Sequence, residues 1–246
     1  MDAWQVFAVA AVFALAGVVK GATGMGLPTV AVSLLGLWMA PMQAAALLVL
    51  PSMATNLAQC AGPHWRTLSA RLWPVWLALA VVTVAAPALQ HTASVLGAQR
   101  ALGAVLVVYG LFGLCRPVLA DLSRPVGWRG VPIGAVIGVT TGFVTAVTAV
   151  FVMPLVPYLQ ALRLDRETMV QALGMSFTVA TLALALRLQG ADHTLLSPWS
   201  ALALAAACAG LRAGARLRQS ISALAFQRAL FVVFIGLGAA NLLRGA

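Results

Sequence analysis

The sequence predicts an all-α, polytopic integral membrane protein of about eight transmembrane helices, or up to ten segments if short broken helices are counted. Three observations carry that expectation. Of the 246 residues, 62% are hydrophobic and only 8% charged, at a mean hydropathy of +1.00, whereas a soluble domain carries about 25% charged residues. Apolar stretches of ~20 residues without a charge recur along the chain, and each is long enough to cross a bilayer as a helix. Finally, the segments of the second half repeat the order of those in the first, including a glycine-rich interruption near the start of each.

The first apolar segment runs from about Ala3 to Val19 and follows a start that has an acidic residue, Asp2, and no Lys or Arg. Without a basic n-region it does not read as a cleavable signal, so this helix is expected to be retained. Lys20 to Pro28 then interrupts it. Gly21, Gly24 and Gly26 each weaken a helix by roughly 1 kcal/mol relative to Ala, and Pro28 removes a donor and clashes with the preceding turn. Broken backbone at membrane depth is tolerated where it lines a protein cavity or water, so this stretch is the first candidate site.

Leu27 to Met39 is short for a span and reads as a half-helix. Met42 to Cys60 follows, with Pro51 and a polar cluster of Ser52, Thr55, Asn56 and Gln59; Thr55 and Asn56 are placed toward the bundle interior. Gly62 to Arg66 breaks the helix and joins a positive charge to Trp65, an interfacial pattern. Leu72 to Leu89 and Gly97 to Cys115 complete the first half, joined by Gln90 to Ser94. Arg116 to Arg129, with two prolines and three arginines, is the most polar connection. The expected organisation is therefore 1–115 as a first transmembrane repeat, 116–130 as a polar linker and 131–246 as a second repeat, together forming one transporter domain.

Gly17 and Gly21 with Thr23 and Gly24 are answered by Gly134 and Gly138 with Thr140, Thr141 and Gly142, and Gln99-Arg100-Ala101-Leu102 recurs as Gln227-Arg228-Ala229-Leu230. Duplicated halves with broken helices typify secondary transporters, whose substrates bind near the midplane between the halves. The alternative for the paired glycines is close helix packing, to which small residues four apart are equally suited. A second discontinuity is expected between Gly138 and Thr148. Arg66 and Arg71, then Arg116, Arg124 and Arg129, then Arg212, Arg216 and Arg218 mark three basic connections, which the positive-inside rule puts on the cytoplasmic face. Equivalent connections of the two halves then lie on opposite faces, as inverted repeats require; parallel halves of eight spans are the alternative.

The formal charge of +10 is scattered through these connections, so nucleic-acid binding is not expected and the lipid bilayer is the surrounding partner. Asp2, Asp121, Asp165, Glu167 and Asp192 all fall in termini or connections, which argues against a cation pump using a buried carboxylate. Cys60, Cys115 and Cys208 are too scattered for a disulfide framework or a zinc site and read as small packing residues. His64, His91 and His193 read as solvated or interfacial, with a pH-sensing role as the alternative. No Ser-His-Asp set or paired buried carboxylates are present, so no catalytic residue, metal or cofactor is expected and the chain is not read as an enzyme.

What remains is an anion site. Freed N–H groups at a half-helix N-terminus attract oxyanions, the Thr23 hydroxyl is close by, and Lys20 supplies a full charge; a lysine snorkelling to the headgroups is the alternative. In the second half Thr140, Thr141, Thr145 and Thr148 with Gly142 offer neutral donors, while Gln171, Ser176 and Thr178 echo the set around Asn56. The candidate substrate-binding residues are thus Lys20, Gly21, Thr23, Gly24, Gly26, Thr55, Asn56, Gly138, Thr140, Thr141, Gly142, Thr145, Gln171 and Ser176. Any of the Thr and Ser hydroxyls can instead bond its own helix backbone.

These motifs, in this order, resemble the TauE/SafE sulfite exporter family, also called the toluene-sulfonate uptake permease family. The likeness rests on Ala16, Gly17, Gly21, Gly24, Gly26 and Pro28, on Pro41 and Gln43 to Ala46 leading into Pro51, Thr55 and Asn56, on Gly138 through Pro154, and on Gly210 to Leu217 with Gln227-Arg228. The resemblance implies a multi-pass transporter of the bacterial inner membrane with about eight spans and a small anionic, sulfur-containing or related organic substrate, with or without a coupling ion. The reading is a secondary carrier working by alternating access, with an anion channel of the same architecture as the alternative.

Overall fold

The computed structural model describes residues 3–86, 95–115, 117–123, 130–189, 197–217 and 222–244. Asp2, His91, Arg116, Arg124, Arg129, Asp192, His193 and Arg218, on which sequence expectations rest, lie outside the described residues. Among the described residues all regular structure is helical: α1 (Ala3–Thr23), α2 (Leu27–Leu35), α3 (Pro41–Cys60), α4 (Trp65–Ala85), α5 (Val95–Cys115), α6 (Gly130–Thr148), α7 (Leu155–Ala161), α8 (Arg166–Gln189), α9 (Pro198–Leu217) and α10 (Ala223–Arg244). Six of them, α1, α4, α5, α6, α8 and α10, are long and apolar enough to cross a membrane. α3 and α9 have 20 residues each, about 30 Å of helix, but carry Asn56 and Gln59 or Arg212 and Arg216 in their sequences. α2 and α7 have nine and seven residues and are too short to cross alone. The chain is a polytopic membrane protein, and exposed Phe7, Leu15, Leu77, Val108, Phe143 and Val232 give the bundle the apolar exterior that lipid requires.

Local chemistry sets the helix ends. Pro28, Pro41 and Pro198 stand in the first turns of α2, α3 and α9, where a missing N–H costs nothing. Asp165 accepts the N–H groups of Glu167 and Thr168 at 3.0 Å each and so caps α8.

Glycines let the backbones touch. A Cβ on Gly17 or Gly21 of α1 would fall on the carbonyls of Ala207 or Leu211 in α9, and one on Gly210 or Gly214 would fall on those of Ala14 or Val18. α1 and α9 therefore run parallel in direct backbone contact. α6 lies on α4 in the same way, with Gly138 against the Val75 carbonyl and Gly142 against that of Leu79. α3 and α8 run antiparallel, joined by Asn56 to Thr181, Cys60 to Thr178 and Gly62 to Gln171. α5 and α10 also run antiparallel: Gly103 faces Gly238, and Gly110 faces Phe231 and Ile235. The order of one long helix, one short helix and three long ones thus occurs twice, α1 meets α9 as α6 meets α4, and the elements third and fifth in each set meet head to tail.

The two interruptions share one construction. Thr23 ends α1 and Thr148 ends α6; each hydroxyl accepts an N–H from two residues on, Met25 or Val150, at 3.2 Å. The next residue is left-handed in both, Gly24 at φ 84° and Ala149 at φ 58°, and its N–H returns to the carbonyl of Lys20 or Thr145, which closes the helix end. This corrects one expectation. α6 is unbroken from Gly138 to Thr148, and the second interruption falls after it, over residues 149–154, because Gly138 and Gly142 are held inside the helix by their contact with α4. Superposing the helix ends sets Lys20 opposite Thr145, and Gly17 opposite Gly142 rather than Gly134.

The Arg71 guanidinium donates to the carbonyls of Leu122 and Ser123, tying the start of α4 to the connection after α5. Since α10 is antiparallel to α5, it starts at that same end, and the short link from α9 brings Arg212 and Arg216 there. Arg66, Arg71, Arg212 and Arg216 therefore gather toward one end of the bundle.

Candidate functional site

α1 delivers Lys20 to the bundle interior one turn before its end, and there the side chain is only 2% exposed. Its Nζ donates to Thr55 Oγ1 at 3.0 Å and to Asn56 Oδ1. Both partners are neutral. Asn56 Nδ2 in turn donates to Thr181 Oγ1 of α8 at 3.3 Å, so the network links α1, α3 and α8. Pro51 lies one turn earlier in α3, and the Thr55 hydroxyl donates to its carbonyl at 2.7 Å. Taking a cation out of water costs several kcal/mol unless charge and hydrogen bonds are returned to it. Two neutral acceptors return part of that, and an ammonium has three N–H donors.

The interruption lies beside this network. Gly24 and Gly26 are both left-handed, at φ 84° and 99°, a conformation open to glycine at little cost. Gln59, one turn beyond Asn56 on α3, donates Nε2 to the Gly24 carbonyl at 2.8 Å, which holds the bend against α3. On the other side of the bend a cavity of about 160 Å³ is lined by Thr23, Met25 and Gly26 with Tyr109, Phe231 and Phe234. The Tyr109 hydroxyl reaches Met25 Sδ at 3.7 Å.

The remaining residues expected at the site are dispersed. Gly21 is spent on the contact with α9, and Gly138 and Gly142 on the contact with α4. Thr140 is exposed and bonds the carbonyls of Val136 and Ile137 at 2.8 and 3.1 Å. Thr141 and Thr145 are buried but bond Ile137 and Thr141 of their own helix at 2.7 Å. Ser176 accepts from Trp76 Nε1 at 2.9 Å. Gln171 donates to the carbonyls of Cys60 and Gly62 at 3.0 Å each and accepts the His64 N–H at 3.1 Å, clamping the end of α3. Lys20, Thr55 and Asn56 come together; the second-half residues do not join them. Thr181, absent from the expected set, does. Its signal was present: Gln171, Gly174, Thr178 and Thr181 form one small and polar stripe at helical spacing on α8. Among the cysteines, Cys60 lies against the Thr178 hydroxyl at 3.3 Å and Cys115 is exposed.

Among the described residues no group of acidic, His and Cys side chains could hold a metal ion. The arrangement places a buried lysine, hydroxyl and amide groups and a helix bend on one side of α3.

Comparison with known proteins agrees with this description. No curated protein and no solved structure matches the chain. The sequence model of the family described as Sulfite exporter TauE/SafE matches residues 9–241, nearly the whole length and every helix from α1 to α10. The chain belongs to the TauE/SafE sulfite exporter family of membrane transporters.

Proposed function

We propose that the chain is a secondary carrier of the bacterial inner membrane for a small sulfur oxyanion such as sulfite or a small sulfonate. The observation that carries this reading is the buried Lys20 amine, which among the described residues donates to Thr55 and Asn56, next to a helix interrupted at Gly24 to Gly26. An ionisable residue inside a spanning helix is costly and marks a substrate path. In this reading the anion takes the third N–H of Lys20, with Asn56 Nδ2 and Thr181 Oγ1 as neutral donors that exchange their present bonds for it. Neutral donors bind an oxyanion without trapping it, as turnover requires. Broken helices at corresponding places in two inverted halves are the construction on which alternating access rests, and the shared build of the two interruptions, with third and fifth elements meeting antiparallel, supports that arrangement. The gathering of Arg66, Arg71, Arg212 and Arg216 supports a cytoplasmic assignment for their end.

Uptake of isotope-labelled sulfite into proteoliposomes at matched protein levels tests the reading. Lys20→Gln is expected to weaken apparent affinity roughly ten- to over a hundredfold, since a hydrogen bond to a charged group contributes about 1.5–3 kcal/mol, and Lys20→Arg to retain part of it. Undiminished flux in Lys20→Gln removes the residue from the site. Saturation and counterflow are expected of a carrier; flux that rises with the gradient without saturating would replace it by a channel.

A further inference from the structure

The end of α3 opens on a second recess that neither the Lys20 network nor the family assignment accounts for. It has a volume of about 380 Å³ and is lined by Gln59, Gly62, His64, Arg166, Glu167 and Gln171, toward the end of the bundle where Arg66 and Arg71 lie. Gln59 belongs to both places. It lines the recess and also bonds the Gly24 carbonyl at the helix interruption. Asn56, which holds Lys20, stands one turn earlier on the same face, a step of about 5 Å along the axis. Lys20, Asn56, Gln59 and the recess therefore follow one another along α3.

Gln59 is incompletely satisfied. Its Nε2 donates to Gly24, but its Oε1 is shut off from solvent and has no hydrogen-bond partner among the described residues; a buried orphan of this kind calls for an explanation beyond packing. Its main chain is also pinned, because Gly174 of α8 approaches so closely that a Cβ there would lie 2.7 Å from the Gln59 carbonyl carbon. The backbone is thus held while the amide keeps only one bond, to a carbonyl that itself belongs to the bend. Gln171, by contrast, has all three of its bonds to the chain around Cys60 to His64 and forms a fixed wall.

The charged and titratable side chains that line the recess are those of Arg166, Glu167 and His64, and Asp165 precedes Arg166 in the chain. Asp165 is committed to capping α8: its carboxylate accepts the N–H groups of Glu167 and Thr168 and the Thr168 hydroxyl. Arg166 and Glu167 both line the recess and are exposed.

We propose that this recess is the basic-end mouth of the anion path and that Gln59 is the positioning residue that passes the anion between the mouth and Lys20. Its amide is donated to the Gly24 carbonyl when the path is shut and to the anion when it is open, with Arg166 drawing the anion into the mouth. The inference rests on the carrier reading given above.

Exchange of isotope-labelled sulfite in proteoliposomes, paired with equilibrium binding of sulfite to the purified full chain, is the test. Gln59→Leu keeps the side-chain volume but not the donor: exchange is expected to fall about tenfold or more, while sulfite affinity stays within roughly threefold, because Lys20 is untouched. Gln59→Asn is expected to restore part of the rate. Arg166→Gln is expected to raise the half-saturating concentration and flatten its dependence on salt while leaving the maximal rate unchanged. Should the Gln59 variants fold poorly, Ala61→Cys in a background with Cys60, Cys115 and Cys208 replaced by Ser, labelled with a sulfonate-bearing thiol reagent, is expected to stop exchange by filling the mouth. Exchange within twofold of the parent in Gln59→Leu, or in the labelled Ala61→Cys protein, overturns the mouth and its gate even where Lys20→Gln still weakens binding. A parent chain that neither binds nor exchanges any anion overturns the carrier reading and this inference with it.

Discussion

If Lys20 is retained for an anion rather than for the fold, replacing it should separate stability from binding. Lys20→Met keeps length and apolar stem but removes the charge and both bonds, to Thr55 and Asn56. Two opposed effects follow. Losing a buried ion relieves a desolvation cost of several kcal/mol, whereas the Asn56 Oδ1 left without a donor costs about 1–3 kcal/mol. The stability of the ligand-free protein should therefore move by no more than about 2 kcal/mol in either direction. Adding Asn56→Leu removes the orphan, so the double variant should be at least as stable as the parent, as when both partners of a buried polar pair give way to apolar groups. Binding should behave otherwise. At a sulfite concentration of about a hundred times Kd the parent gains about 2.7 kcal/mol, which either variant should cut to about 1.4 kcal/mol at a tenfold loss of affinity and to about 0.4 kcal/mol at a hundredfold loss. Thermal unfolding in detergent, with and without sulfite, gives all these quantities in one series. A Lys20→Met protein that unfolds far more easily yet keeps the full sulfite-induced shift would refute the reasoning, since the lysine would then be structural.

Two further outcomes test the packing and the helix ends. Gly214→Ala puts a methyl group onto the Val18 carbonyl and should destabilise by about 1–3 kcal/mol through overpacking, while Gly236→Ala, which meets nothing within 4 Å among the described residues, should stabilise by up to about 1 kcal/mol in a thermal scan. Equal effects would remove the α1–α9 backbone contact as the reason for the glycine. At the start of α8, hydrogen bonds from the Thr168 hydroxyl and N–H, with that of Glu167 and nearby His64, hold the Asp165 carboxyl below the usual carboxylate range against the opposing effect of desolvation. A group depressed in the folded state stabilises above its unfolded value, about 3.9, and loses this as pH falls through the lower folded value. Asp165→Ala should therefore lower Tm near neutral pH, with the gap to the parent narrowing in acid; a gap independent of pH would deny the ionised cap.

Much of the protein was legible in the chain itself. Low charge, repeated apolar stretches and glycine-rich interruptions specify a helical membrane bundle, because a bilayer leaves the backbone few other ways to satisfy its own polar groups. Lys20 with Thr55 and Asn56 was legible for a related reason, since a cation and an amide inside apolar segments are too costly to be incidental. Other features were decided by tertiary contact alone. Gly138 and Gly142 could serve a break or a contact, and nothing local separates the two; the approach of α4 chose the contact and moved the second interruption beyond Thr148. Thr140 and Thr181 are the same residue type in apolar helices, yet one faces outward and the other meets Asn56, because orientation depends on which neighbour covers which helix face. The place of Gln59 between the helix interruption and a recess was also decided only when α8 pinned the end of α3. Sequence determines that a charge stands beside a broken helix, since both follow from bond chemistry along the chain; whether that charge is buried or reaches the headgroups, and which neutral groups gather around it, depends on distances across the chain, and those are settled only by packing.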